Sequence, residues 1–66
     1  MSTEKYLKQK YGMFDDAKVP IEFIQEELFI DAAEAKRLVR AALKRKHCPM
    51  MIKFREFKQI VQDVLG

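Results

Sequence analysis

The stretch from Ile30 to Lys46 reads Ile-Asp-Ala-Ala-Glu-Ala-Lys-Arg-Leu-Val-Arg-Ala-Ala-Leu-Lys-Arg-Lys. Few alternatives to a helix are open to it. Asp31 is a good N-cap, and Glu34 three positions later suits a variant of the capping box. Ala32, Ala33, Ala35, Leu38, Ala41, Ala42 and Leu43 are strong helix formers. At 100° per residue, Ala35, Leu38, Val39, Ala42 and Leu43 share one arc, which must be buried. Lys36, Arg37, Arg40 and Lys44 share roughly the opposite arc, with only Ala33 and Ala41 beside them. A helix from Asp31 to Lys46 would also place Glu34 in its first turn and Lys44, Arg45 and Lys46 in its last, matching the helix dipole.

A chain of 66 residues makes one domain, here residues 1–66, with a thin core that buries about 60% of its unfolded surface. It cannot close a disulfide within itself, because Cys48 is its single cysteine, and this fits a reducing compartment. His47 and Cys48 supply at most two metal ligands and, being adjacent, point in different directions, so no metal site is expected. The first twenty residues hold Lys and Glu but no apolar run, so no signal peptide is expected, and no stretch approaches a membrane span. The expectation is a soluble, cytoplasmic protein.

Net charge is +3, yet its distribution is strongly uneven. Residues 1–35 carry Lys5, Lys8, Lys10 and Lys18 against eight acids, a net of −4. Residues 36–58 carry nine cations against Glu56 alone, a net of +8. A chain polarised in this way suits an anionic partner on one face: nucleic acid, an acidic protein or a membrane surface.

Flanking elements follow from punctuation. Ser2 or Thr3 can cap a short helix that carries Tyr6, Leu7 and Tyr11 on one side and stops at Gly12, with a strand over Tyr6 to Lys10 as the alternative. Met13 to Lys18 reads as a loop turning at Asp15-Asp16. Val19 to Phe29 reads as a helix with Pro20 at its first position, Ile21, Ile24 and Leu28 inward, and Glu22, Gln25, Glu26 and Glu27 outward. Pro49 ends the basic helix, and Met50 to Ile52 reads as an extended segment or single strand. A last helix from about Phe54 to Leu65 presents Phe54, Phe57, Ile60, Val61, Val64 and Leu65 to the core, with Arg55 and Lys58 outside. The fold class is therefore mostly α: three to four helices, with at most a short strand.

The helix ending near Phe29 and the one beginning at Asp31 leave room for only a sharp turn around Ile30, although that turn has no Gly. Two amphipathic helices so joined, the second basic, have the outline of a helix-turn-helix. In that reading the second helix enters the major groove. Ala33, Lys36, Arg37 and Arg40 meet base edges, and Lys44, Arg45, Lys46, Lys53, Arg55 and Lys58 grip phosphates. So few base-reading side chains specify only a few base pairs, which calls for a homodimer or a cooperative array on repeated half-sites. No Gly-rich phosphate loop or nucleophile constellation exists, so neither an enzyme nor a cofactor is expected.

Tyr6-Leu7, Tyr11-Gly12, Val19-Pro20-Ile21-Glu22 and Leu28-Phe29 together resemble the pyocin activator protein family, small phage- and bacteriocin-associated transcription regulators. Val19 to Glu22 stands where the family has Ile-Pro-Leu-Glu, and Cys48-Pro49 where it has Leu-Pro. More distantly, the plan is similar to phage excisionases, small helix-turn-helix proteins with a wing. The resemblance implies a phage or mobile-element regulator, acting either on transcription or as an excisionase-type directionality factor, while the outer acidic face of Glu22, Gln25 and Glu26 suits, by its charge, polymerase or a recombinase as a further partner. It also implies a β-hairpin wing, but residues 47–53 are too few, and lack the Gly or Asn of a tight hairpin. The wing is then reduced to one strand, or Met50 to Ile52 pairs with the N-terminal segment or with a second subunit. A protein-interaction module remains the competing class, such as a phage-encoded modulator of a host protein, docking an acidic partner on the same basic face.

Overall fold

The computed structural model describes residues 3–66. Its elements run α1 (Thr3–Tyr11), β1 (Lys18–Pro20), α2 (Glu22–Leu28), α3 (Ala32–Leu43), β2 (Met51–Lys53) and α4 (Phe54–Leu65). The architecture is the expected one, a small helical domain with a short-strand wing.

α4 is the spine. Phe54, Phe57, Ile60 and Val61 recur at helical spacing and are all buried, so this one face collects the other elements. α1 contributes Leu7, α2 Ile24, α3 Ala35 and Val39, and the two strands Val19 and Ile52. At one end Tyr11, Phe23, Phe54 and Phe57 form an aromatic cluster with ring centroids 5.0–6.1 Å apart, in stacked, tilted and edge-on pairs. α4 begins cleanly because Glu56 reaches back to accept the Lys53 backbone N–H at 2.8 Å, half of a capping box.

The N-terminal segment is a helix and not the alternative strand. It stops as expected at Gly12, which takes a left-handed φ of 61° and donates to the Lys8 carbonyl at 2.9 Å. Of its two expected caps, Ser2 lies outside the described residues and Thr3 is already helical.

The main departure is at Val19-Pro20. These residues are not the first turn of α2 but the end of β1, which pairs antiparallel with β2 in the register Lys18 to Lys53, Val19 to Ile52 and Pro20 to Met51. The physical reason is local: a residue before proline is pushed out of the helical region, and proline is tolerated where a strand ends at a sheet edge. α2 therefore starts at Glu22. The strand at 51–53 thus finds its partner within the chain, immediately ahead of α2, and the helix pair is bracketed by the two strands of one ribbon. Phe54 extends the ladder by donating to the Ala17 carbonyl at 2.7 Å.

The turn between α2 and α3 is as tight as the sequence requires. Without Gly, Phe29 itself adopts the left-handed conformation (φ 56°, ψ 47°), and Ile30 donates back to the Gln25 carbonyl. Asp31 then caps α3, accepting the Glu34 backbone N–H at 2.8 Å. α3 ends earlier than expected, at Leu43. Lys44 turns left-handed (φ 54°), and its own N–H and that of Arg45 both return to the Arg40 carbonyl. Lys44, Arg45 and Lys46 are therefore not a last helical turn but a tail leaving the helix.

Candidate nucleic-acid interface

Ala35 and Val39 are wholly buried, which fixes the rotation of α3 and puts Ala33, Lys36 and Arg37 in solvent, with Arg40 half-buried. Ala33, Lys36 and Arg40 stand at i, i+3 and i+7 and so line one face. The tail Lys44 to Lys46 continues the positive charge beyond the helix end, and all three residues are exposed. None of Lys36, Arg40, Lys44, Arg45 and Lys46 makes an ion pair with a described residue. Five cations without a countercharge on consecutive parts of one element attract a polyanion strongly.

Arg37 differs. Its guanidinium grips Glu34 one turn back through two contacts, one of them Nε to Oε2 at 3.0 Å. This hydrogen bond holds the Glu34 carboxyl below its usual range and raises Arg37 in turn. The pair is exposed, so a phosphate or guanine can displace Glu34 at small cost, since exposed ion pairs contribute only about 0–1 kcal/mol.

Of the cations expected to grip phosphate outside α3, one is withdrawn. Lys58 is 4% exposed, not on the outer side of α4. Its ammonium donates to Asp15 at 2.8 Å and Glu4 at 3.4 Å and lies over the Phe54 ring. Asp15 raises the Lys58 pKa against the opposing effect of burial, and Lys58 lowers that of Asp15. This lysine ties α1 and the α1–β1 loop to α4, and so it is structural. Arg55 is exposed but lies 3.4 Å from Asp16. Lys53 is half-buried on β2, directly across the ribbon from Lys18.

That cross-strand position exposes a residue that sequence reasoning missed. Val19 and Ile52 face the core, so Lys18 and Lys53, one step along each strand, stand together on the outer face. Like charges directly opposite are unfavourable, and a bound anion would relieve them. The available signal was the Val19-Pro20 step, which marks an extended segment.

Other expectations change as well. Val64 and Leu65, expected in the core, lie beyond the buried length of α4 and are exposed. Glu27 does not face outward. Its carboxylate is 5% exposed and accepts from Lys10 at 2.6 Å and from the Tyr11 hydroxyl, which locks α1 to α2. Ala42 does not reach the core but is exposed, beside a shallow groove of about 260 Å³ between α3 and α4 lined by Leu38, Ala41, Ile60, Asp63 and Val64. A second depression of about 510 Å³ lies at the α1–β1 loop, where Lys8 mixes with Asp15 and Asp16, both already paired with α4.

Among the described residues no three His, Cys, Asp or Glu side chains gather to hold a metal, and no helix is long and apolar enough to cross a membrane. Cys48 is a half-buried free thiol. The chain matches no protein-family model, no curated protein and no solved structure.

Proposed function

We propose that this chain is a small sequence-specific DNA-binding protein that uses α3 as its reading helix. The observation that carries the reading is the uncompensated face of α3 and its tail. Among the described residues no carboxylate pairs with Lys36, Arg40, Lys44, Arg45 or Lys46, nor with Lys18 and Lys53 on the ribbon, while Lys10, Arg37, Arg55 and Lys58 each have such a partner. An exposed helix behind a tight turn, with its outer face basic, suits the major groove. Ala33, Lys36 and Arg40 are placed to meet base edges, with Arg37 joining once it releases Glu34. Lys44, Arg45 and Lys46 on the tail, and Lys53 with Lys18 on the ribbon, would grip phosphates.

The resemblance to pyocin activators and phage excisionases gives this reading its biological setting: a cytoplasmic, non-enzymatic regulator of a phage or mobile element, acting on transcription or on excision. One subunit covers few base pairs, so the active form is a homodimer or a cooperative array. The exposed Glu22 and Glu26 on α2 are left for a polymerase or recombinase.

Selection from a random duplex pool tests the reading. A recovered site should lose about 1–3 kcal/mol on Arg40→Ala, while Arg45→Ala should weaken all duplexes alike. Failure to enrich any sequence, with equal losses for both variants, would remove α3 as the reader.

One observation favours a second reading. The α3–α4 groove is apolar and opens beside exposed Val64 and Leu65, as in a protein-interaction module that modulates a host protein. A stoichiometric partner recovered after nuclease treatment, and lost on Val64→Asp, would support it.

A further inference from the structure

Phe29 is the most exposed large apolar side chain among the described residues, at 94%. It sits in the left-handed backbone conformation, which L-residues other than Asn and Asp rarely adopt, at a turn where Gly would be free of strain. Nothing in the core needs it: the aromatic cluster is built from Tyr11, Phe23, Phe54 and Phe57 without it. Phe14 is also exposed, but it belongs to the α1–β1 loop and not to the α2–α3 turn that leads into the reading helix. Phe29 instead lies at the entry to α3. Of the acids close to it in the chain, Asp31 is occupied as the cap of α3 and Glu27 is held by Lys10 and Tyr11, while Glu26 stays in solvent on α2. Beyond it come the exposed Ala32 and Ala33 and then the unpaired cations.

We infer that Phe29 is a specificity-determining contact to the 5-methyl groups of thymine in the DNA site. The inference rests on the α3 reading proposed above and says what the N-terminal end of that surface recognises. The charge of α3 and its tail selects a polyanion. Among duplex features in the major groove, the thymine methyl is the apolar group that protrudes for an apolar side chain to read, whereas cytosine carries only a hydrogen at the same ring position. The exposed phenyl ring in the turn before α3 and the exposed Ala32 and Ala33 in its first turn supply apolar groups, and Lys36 and Arg40 further along the helix supply donors.

The test replaces thymines one at a time by uracil in a duplex carrying the site selected by the wild-type protein, which removes a methyl and nothing else. Wild type should lose about fourfold in affinity at one or two thymines, the fold-change equivalent to ~0.8 kcal/mol for one buried carbon. Phe29→Gly should bind the thymine duplex more weakly than wild type, show no uracil effect at those positions, and melt at the same or a higher temperature. Phe29→Leu should keep part of the discrimination. Uracil scanning without effect on wild type, or Phe29→Gly with the wild-type uracil profile, would overturn the inference while leaving α3 as the reader. A wild-type protein that binds no duplex would overturn both.

Discussion

Lys58 shows how much a single side chain can depend on partners far away in sequence. It stands 54 positions from Glu4 and 43 from Asp15, yet it meets both. At 100° per residue it stands only about 40° from Phe54 and about 60° from Val61, on the border of the buried stripe of α4, and Glu4 and Asp15 close over its ammonium to make it a buried anchor. Lys58→Ala should therefore lower stability by about 1–3 kcal/mol in urea unfolding, as expected for a lost charge-assisted hydrogen bond, and leave the salt dependence of DNA binding unchanged. Its partner Asp15 has a carboxyl pKa held below the ordinary 3.8 in the folded protein. The stabilisation from this link is thus complete above about pH 4 and is lost as the pH falls through the lower folded value. Asp15→Asn should flatten the acid side of a stability–pH profile. On the alkaline side, burial first and the Glu27 hydrogen bond second push Tyr11 from 10.0 to about 12. Its contribution persists below pH 10 and is lost as the pH climbs towards 12, so Tyr11→Phe should remove that alkaline limb and cost about 1–2 kcal/mol at neutral pH.

Among the elements, α3 and α4 were legible as helices because each is a long amphipathic repeat, although the edges of their buried stripes were not: Ala42, Val64 and Leu65 are exposed and Lys58 is buried. What failed was the reading of their neighbours. Pro20 suits a helix start and a strand end equally well, and only the pairing of Lys18–Pro20 with Met51–Lys53 decides between them. The end of α3 was likewise hidden, because Lys44, Arg45 and Lys46 are acceptable helix formers and no Gly marks the stop. The chain leaves the helix through a strained lysine. Lys44→Gly should consequently stabilise the domain by about 0.5–1 kcal/mol, measured by thermal melting, since Gly accepts a positive φ without strain. The same change removes one cation, so the slope of log affinity against log salt should fall by about 0.9 on duplex DNA. Stability and affinity moving in opposite directions would mark Lys44 as a residue retained for its charge.

Taken whole, the molecule pairs four of its acids with Lys10, Arg55 and Lys58 and leaves α3, its tail and the Lys18–Lys53 pair of the ribbon positive among the described residues. Glu4 and Asp15 hold Lys58, Asp16 holds Arg55, Glu27 holds Lys10, and only Glu34 reaches into the α3 face, through Arg37. The net charges of the two sequence segments anticipated a polarised protein, but not which cations would remain unpaired, because that depends on tertiary approach. The direct test is fluorescence anisotropy on labelled duplex DNA at several salt concentrations, for wild type and for Lys36→Glu/Arg40→Glu. A DNA-reading α3 predicts wild-type affinity that falls linearly in log salt, and loss of binding in a double variant that still folds. Wild-type binding that survives the reversal, or no binding even at low salt, would contradict it.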